Sequence, residues 1–126
     1  MLEIGYGSGA GIEFWRKLFP DVFIYCFDRD AEGEEEGVRV FRVDQSDLQS
    51  LQSAVERIGH PIDLIVDDGS HHPSHQLLTF SSLFSALLES SGLYVIEDIE
   101  TSSWRNGMLY GDTMTYGLED RWSTMV

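Results

Sequence analysis

Leu2-Glu3-Ile4-Gly5-Tyr6-Gly7-Ser8-Gly9 is the stretch that decides the fold. A short apolar strand runs into a glycine-rich turn. A helical pattern follows at once, with Ile12, Trp15, Leu18 and Phe19 on one face before Pro20 ends it. Strand, glycine turn and helix in that order open an α/β sheet, where glycines let the chain turn tightly and a ligand approach the backbone.

The same alternation continues outward. Val22–Phe27 reads as a second apolar strand, Val38–Val43 as a third, Asp63–Asp67 as a fourth and Gly92–Ile96 as a fifth that ends at Glu97 and Asp98. Ser46 with Gln49 three positions on reads as a capping box for a helix whose inner face is Leu48, Leu51, Val55 and Ile58. Pro73 suits the first turn of the next helix, with Leu77, Phe80, Phe84, Leu87 and Leu88 as its buried face. Short strands apolar on both faces, alternating with amphipathic helices, indicate a parallel sheet covered by helices on both sides. Asp28–Gly37 is short for a parallel crossover, so a compact loop or a single helical turn is expected there. Residues 1–126 read as one domain, and Thr101–Val126, rich in Gly, Ser, Thr, Tyr and Met, as mostly loop.

Composition narrows the partners. The chain has 126 residues, 42% hydrophobic and 24% charged, which fits one soluble globular domain. Its 22 acidic residues against 8 Lys and Arg give a formal charge of -14, a surface that repels nucleic-acid phosphates and anionic membranes. Cys26, the single cysteine, lies in an apolar strand and reads as a packing residue, which excludes a disulfide scaffold. No apolar run reaches membrane-span length and no basic-then-apolar leader is seen, so a soluble cytoplasmic protein is expected.

The glycine spacing is Gly-x-Gly-x-Gly over Gly5, Gly7 and Gly9, with Glu3 two residues before, and not the dinucleotide pattern Gly-x-Gly-x-x-Gly. An acid at Glu3 accepts from an amino group and repels a pyrophosphate, which favours a cationic, amino-acid-bearing cofactor over NAD. Asp28 ends the second strand, where an acid binds ribose hydroxyls in such folds; Asp30 is the nearby competitor. The run Glu32, Glu34, Glu35, Glu36 reads as a solvated loop. Asp44 and Gln45, in Asp44-Gln45-Ser46-Asp47, either meet an adenine edge or belong to a turn in which Ser46 caps the following helix.

Asp67-Asp68-Gly69-Ser70-His71-His72 follows the fourth strand and Glu97-Asp98 ends the fifth. The carboxyl ends of neighbouring parallel strands open onto one crevice, so these acids converge and repel each other without a cation between them. A hard divalent ion, Mg²⁺ before Mn²⁺ or Ca²⁺, resolves the repulsion, and the excess of carboxylates argues against zinc. His71 is then placed to act as general base toward a hydroxyl. The competing reading makes Asp68 and Ser70 caps of the next helix and the histidines surface residues. His72 and His75 are assigned to the periphery of the site, and Trp15, Trp104 and Trp122 to packing.

At these motifs the sequence resembles the class I S-adenosylmethionine-dependent methyltransferases, and within them the metal-dependent sugar O-methyltransferases of the macrocin and mycinamicin type. Val-Asp-Asp-Gly-Ser-His-His over 66–72 together with Tyr-Val-Ile-Glu-Asp over 94–98 carries the specific part of the likeness. The resemblance implies a Rossmann-like three-layer sandwich with strand order 3-2-1-4-5, lacking the last strands of the full fold and leaving the fifth strand's edge open. It implies that Gly5, Gly7 and Gly9 approach the methionine part of S-adenosylmethionine and that Asp28 binds its ribose. Asp68, Glu97 and Asp98 would hold Mg²⁺, and His71 would deprotonate a sugar hydroxyl. Segments before the first strand and after the fifth are expected to be missing relative to that family, as in a fragment or a reduced paralogue. A homo-oligomer or a partner over the open edge would then complete the sheet. The expected function is methyl transfer to a hydroxyl of a sugar or glycosylated small molecule. The rival is a non-catalytic cofactor-binding or assembly module, and a metal-dependent hydrolase is disfavoured by the glycine motif with Glu3.

Overall fold

A computed structural model describes residues 1–103, 106–109 and 112–115. The elements run β1 (Leu2–Ile4), α1 (Ala10–Leu18), β2 (Ile24–Asp28), β3 (Gly33–Glu35), β4 (Val38–Arg42), α2 (Leu48–Ile58), β5 (Ile62–Asp67), α3 (Pro73–Leu83) and β6 (Leu88–Ile96). A 3-10 turn over Ile99–Ser103 and two short strands, β7 (Asn106–Leu109) and β8 (Asp112–Thr115), follow. These occupy part of the segment read as mostly loop; Trp104 and Trp122 lie outside the described residues.

The main sheet has the order β3-β4-β2-β1-β5-β6. Its five parallel strands stand in the expected order 3-2-1-4-5, counted along the sequence without β3. The short link after β2 differs from expectation: it is neither a loop nor a helical turn but carries a strand, β3, antiparallel to β4 with Glu35 opposite Val38. Nine residues are too few to pack a crossover helix on the sheet, so an extended segment makes the return. The acidic run is exposed as expected, yet three of its members are paired. Glu34 meets Arg39 at 2.7 Å, Glu35 meets Arg16 at 3.2 Å and Glu32 meets Arg57 at 3.6 Å. Exposed pairs of this kind contribute little each, but together they hold the hairpin to α1, β4 and α2.

Two apolar clusters lie on opposite faces of the sheet. Leu2, Ile4, Phe27, Phe41 and Ile65 pack against Leu51, Ala54 and Ile58 of α2 and Leu83 of α3. Ile24, Cys26, Val38, Val40 and Val66 pack against Ile12 of α1. The sandwich is therefore three layers, with α2 and α3 on one side and α1 on the other.

Helix faces depart from the periodic reading in detail. In α3 the buried positions are Pro73, Gln76, Thr79 and Leu83, one step round from the expected Leu77, Phe80 and Phe84. The helix ends at Leu83, so the expected Leu87, though buried, and Leu88, which opens β6, lie beyond it. Phe80 packs edge-on against Tyr94 of β6, and Phe84 is exposed. The inward ridge is partly polar: Gln76 donates to the Glu97 carbonyl and Thr79 to the His75 carbonyl, so both are buried with their hydrogen bonds made. In α1 only Ile12 is buried, while Leu18 and Phe19 are exposed. Helix α2 is capped by Asp47, whose carboxylate accepts from the Gln49 N–H at 2.9 Å, and not by Ser46. Its buried positions are Leu51, Ala54 and Ile58, and Leu48 is exposed.

Register positions the site. Ile4 pairs with Phe27 on one side and with Asp67 on the other, and Asp67 pairs with Ile96. Asp28, Gly5, Asp68 and Glu97 therefore leave the sheet along one edge. The chain steps outward from β1 to β2 and β4, then returns to β5 beside β1, so a switch of direction opens at that edge, where such sheets bind ligands. Among the described residues β6 pairs only with β5, and Leu93 on it is 60% exposed. No helix among the described residues is long and apolar enough to cross a membrane.

The layering predicts an uneven response to truncation. Ile65→Ala, at a fully buried position of β5, should lower unfolding stability by about 2–5 kcal/mol. Leu93→Ala on the exposed edge should change it by less than about 0.5 kcal/mol. Urea unfolding monitored by circular dichroism reads both, and equal losses would contradict this placement of the core.

Candidate active site

The glycine turn is pressed against the end of β5. Gly5 adopts φ 100°, and a Cβ there would collide with the carbonyl oxygen of Asp68, so no other residue fits. Its N–H donates to the Phe27 carbonyl at 2.8 Å. Gly7 and Gly9 are also left-handed, and Gly9 forms the N-cap of α1. Asp28 ties this turn to the loop after β2. One of its oxygens accepts from the Tyr6 N–H at 3.0 Å, and the other from the Asp30 and Ala31 N–H groups at 2.8 Å. Burial works against ionisation of Asp28, but the surrounding N–H donors outweigh it and hold the carboxyl below its ordinary value. Asp30 is exposed and pairs with Arg29 at 3.3 Å.

Glu3 is buried beneath the first turn of α1, in space left free because Gly11 has no side chain. Its Oε2 has no hydrogen-bond partner among the described residues. Desolvation pushes its carboxyl up to about 7, with Trp15 opposing through a hydrogen bond and Asp68 and Glu97 adding to the rise. A buried acid with an open acceptor beside a glycine turn suits a ligand that brings a positive amino group.

Asp44 and Gln45 have partners within the protein. Asp44 is exposed and accepts from the Ser46 N–H and hydroxyl at 2.8 and 2.6 Å, which holds its carboxyl below the ordinary value. Gln45 is buried: its amide nitrogen donates to both oxygens of Asp67 at 2.7 and 2.9 Å, and its carbonyl accepts from the Ser70 N–H at 2.9 Å. Asp67 is fully buried; desolvation raises its carboxyl to about 7 although Gln45 and the Gly69 N–H oppose the shift.

Asp68, His71 and Asp98 converge, each offering a ligand atom within 4.8 Å of the others. His71 Nε2 is 3.7 Å from Asp68 Oδ1 and 3.5 Å from Asp98 Oδ2. Burial raises the Asp68 carboxyl, His71 pulls it down and Asp98 adds to the rise. Glu97 stands outside this group of three but feels it: burial raises its carboxyl, and Asp68 and Asp98 push it further. His71 and Asp98 have φ 54° and 53°, left-handed conformations for non-glycine residues. Such conformations cost roughly 1–3 kcal/mol each and persist where surrounding contacts enforce them. Two carboxylates and an imidazole nitrogen at this spacing, with a third carboxylate adjoining, fit a divalent cation.

The enforcing contacts come from residues that periodicity does not mark. Gln76 of α3 donates to the Glu97 carbonyl at 2.9 Å, and the Thr101 hydroxyl donates to the His71 carbonyl at 2.6 Å. A polar Gln76 and Thr79 on the inward face of α3 is the one trace they leave in the sequence. Asp68 and Ser70 do not cap α3, which starts at Pro73 after His72. The Ser70 hydroxyl instead meets His75 Nδ1 at 2.9 Å, and Ser74 meets His72 Nδ1 at 2.8 Å. An open cavity of about 260 Å³, lined in part by Tyr6, Ala31, Val38 and Val40, lies on the β3 side of the glycine turn, away from the acid-histidine group.

The chain matches no protein-family profile. It is 38% identical over 113 residues to an 8-demethyl-8-alpha-L-rhamnosyl tetracenomycin-C 2'-O-methyltransferase of Streptomyces olivaceus, covering 82% of this chain and 29% of the relative. It is 35% identical over 113 residues to the mycinamicin VI 2''-O-methyltransferase of Micromonospora griseorubida, covering 82% and 28%. Among solved structures, the MycE methyltransferase of the mycinamycin biosynthetic pathway, in complex with Mg and SAH, aligns with a TM-score of 0.75 at 35% identity. That alignment covers 82% of this chain and 28% of the MycE chain. The chain thus spans less than a third of the length of these relatives.

Glu3 and Asp67 give stability a pH dependence. Each keeps its proton in the folded chain up to about pH 7, whereas unfolded carboxyls release theirs near pH ~4. The folded state binds more protons across that interval, so its stability falls as pH rises from about 4 to 7. Urea midpoints should therefore drop between pH 5 and pH 8, and Glu3→Gln or Asp67→Asn should flatten the profile. Profiles parallel to that of the unmodified protein would show that neither group holds its proton.

Proposed function

Since the chain carries the core of the class I S-adenosylmethionine-dependent sugar O-methyltransferases, we propose that it methylates a hydroxyl of a sugar or glycosylated small molecule, using Mg²⁺. The observation that carries this reading is the convergence of Asp68, His71 and Asp98 beside the glycine turn, at the ligand edge of the sheet. The presence of Mg and SAH in the MycE structure supports both cofactors.

In this reading Gly5, Gly7 and Gly9 give the methionine part of the cofactor access to the backbone, and Glu3, whose buried Oε2 has no partner among the described residues, attracts its amino group. Asp28, fixed by Tyr6, Asp30 and Ala31, presents its carboxylate to the ribose. Asp44 and Gln45 border the adenine end, with Gln45 held in place by Asp67 and Ser70. Asp68, Glu97 and Asp98 hold the Mg²⁺. When bound, S-adenosylmethionine supplies the methyl group and the metal lowers the pKa of the acceptor hydroxyl. His71 takes the hydroxyl proton, and the carboxylates of Asp68 and Asp98, 3.7 and 3.5 Å away, stabilise the imidazolium that results. A cytoplasmic location goes with this reading, supported by the buried free thiol of Cys26. The acidic surface supports a small-molecule acceptor over nucleic acid or an anionic membrane.

Two observations favour variants of this reading. His71 lies within the ligand group, which makes it a candidate metal ligand instead of the base. Among the described residues the outer edge of β6 has no strand beside it, which favours a cofactor-binding module that assembles with a second copy or another chain.

Calorimetry with S-adenosylmethionine and Mn²⁺, followed by methyl transfer to a rhamnosyl glycoside, separates these. His71→Ala should slow transfer by about 10²–10⁴-fold with both affinities kept; loss of Mn²⁺ affinity would make His71 a ligand. Asp68→Asn and Asp98→Asn should weaken Mn²⁺ binding and transfer together. Activity that survives EDTA would sink the metal, and cofactor binding without transfer to any glycoside would favour the module.

A further inference from the structure

The geometry points to Thr101 as a positioning residue that sets the metal-binding geometry by holding the backbone on both sides of the ion. This rests on the reading that a divalent cation sits between Asp68 and Asp98. Thr101 lies in the 3-10 turn after β6 and is 1% exposed. Its hydroxyl donates to the His71 carbonyl at 2.6 Å, and its own N–H donates to the Asp98 carbonyl at 3.4 Å. Those two residues, His71 at φ 54° and Asp98 at φ 53°, are the non-glycine residues with left-handed backbone among the described residues.

One buried threonine thus touches both strained positions of the site, which belong to the loops after two neighbouring strands. The strain has a use. Left-handed backbone at His71 and Asp98 turns their side chains toward each other, so that Nε2 and Oδ2 stand 3.5 Å apart. A non-glycine residue relaxes out of that conformation unless something holds it. At His71 the hydroxyl of Thr101 is such a restraint, a short bond between two buried residues. Valine has the same shape without the donor, so Thr101→Val removes this hydrogen bond to the His71 carbonyl and loosens the loop, while Thr101→Ser keeps the donor.

The test is a calorimetric titration of the protein with Mn²⁺ alone, and separately with S-adenosylmethionine, for the unmodified protein and both variants. Thr101→Val should bind Mn²⁺ at least about tenfold more weakly, the scale of lost support behind metal ligands. Thr101→Ser should stay within about twofold of the unmodified protein, and neither variant should lose cofactor affinity. Full Mn²⁺ affinity in Thr101→Val overturns the assignment. So does equal weakening in Thr101→Ser, which would place the effect in the methyl group's packing. Unfolding or joint loss of cofactor and metal binding in Thr101→Val would make Thr101 a core residue only, and also overturns it. An unmodified protein that binds no Mn²⁺ defeats the metal reading itself, an outcome distinct from all of these.

Discussion

Asp68 and Asp98 are delivered to one place by adjacent parallel strands, and carboxylates brought that close raise each other's affinity for positive charge. Nothing in the sheet relieves the crowding: the registers that align Phe27, Ile4, Asp67 and Ile96 are fixed by backbone pairing and core burial. A slip of one residue would exchange the two packed faces of a strand, so the strand ends that carry the acids are held in register. The surrounding structure reads as an answer to that constraint. An imidazole stands between the two carboxylates, and the buried Asp67 next in sequence is held by an amide.

A layer of uncharged side chains supports the charged ones. Gln45 fixes Asp67 and Ser70, Gln76 fixes the Glu97 carbonyl, and Thr101 fixes that of His71. Each bond ties together segments that follow or end different strands, so the ligand edge of the sheet is cross-braced. Sites that bind metal or position reactants lose function through displacements of about an ångström, which is why such support is worth building from buried polar groups.

The parallel core was legible because its signals are local: apolar strands, a glycine turn at Gly5–Gly9, and acids at strand ends. The gathering of acids was legible for the same reason, since topology carries Asp68, Glu97 and Asp98 to one edge, but that His71 and not Glu97 stands in the close group with Asp68 and Asp98 was not. What the sequence left hidden depends on side chains meeting across distance. No periodicity announces β3, whose edge is held by arginines from three other elements. Gln45, a buried amide spanning two strand ends, looks in sequence like any polar residue in a turn. The inward ridge of α3 was misplaced by one position because Gln76 and Thr79, polar residues that an apolar pattern does not mark, take the buried places.

The placement of β1 has a consequence in time. This three-residue strand lies at the centre of the sheet and pairs with β2 and with β5, whose residues come about sixty positions later. On a ribosome β1 emerges long before its second neighbour exists, and pairings of such wide separation form slowly. The glycine turn is tied to β2 but also leans on Asp68, which follows β5, so its packing is complete only once that strand docks. A nascent chain therefore acquires its ligand-binding edge late and all at once, and until then exposes apolar strands that invite aggregation or a chaperone.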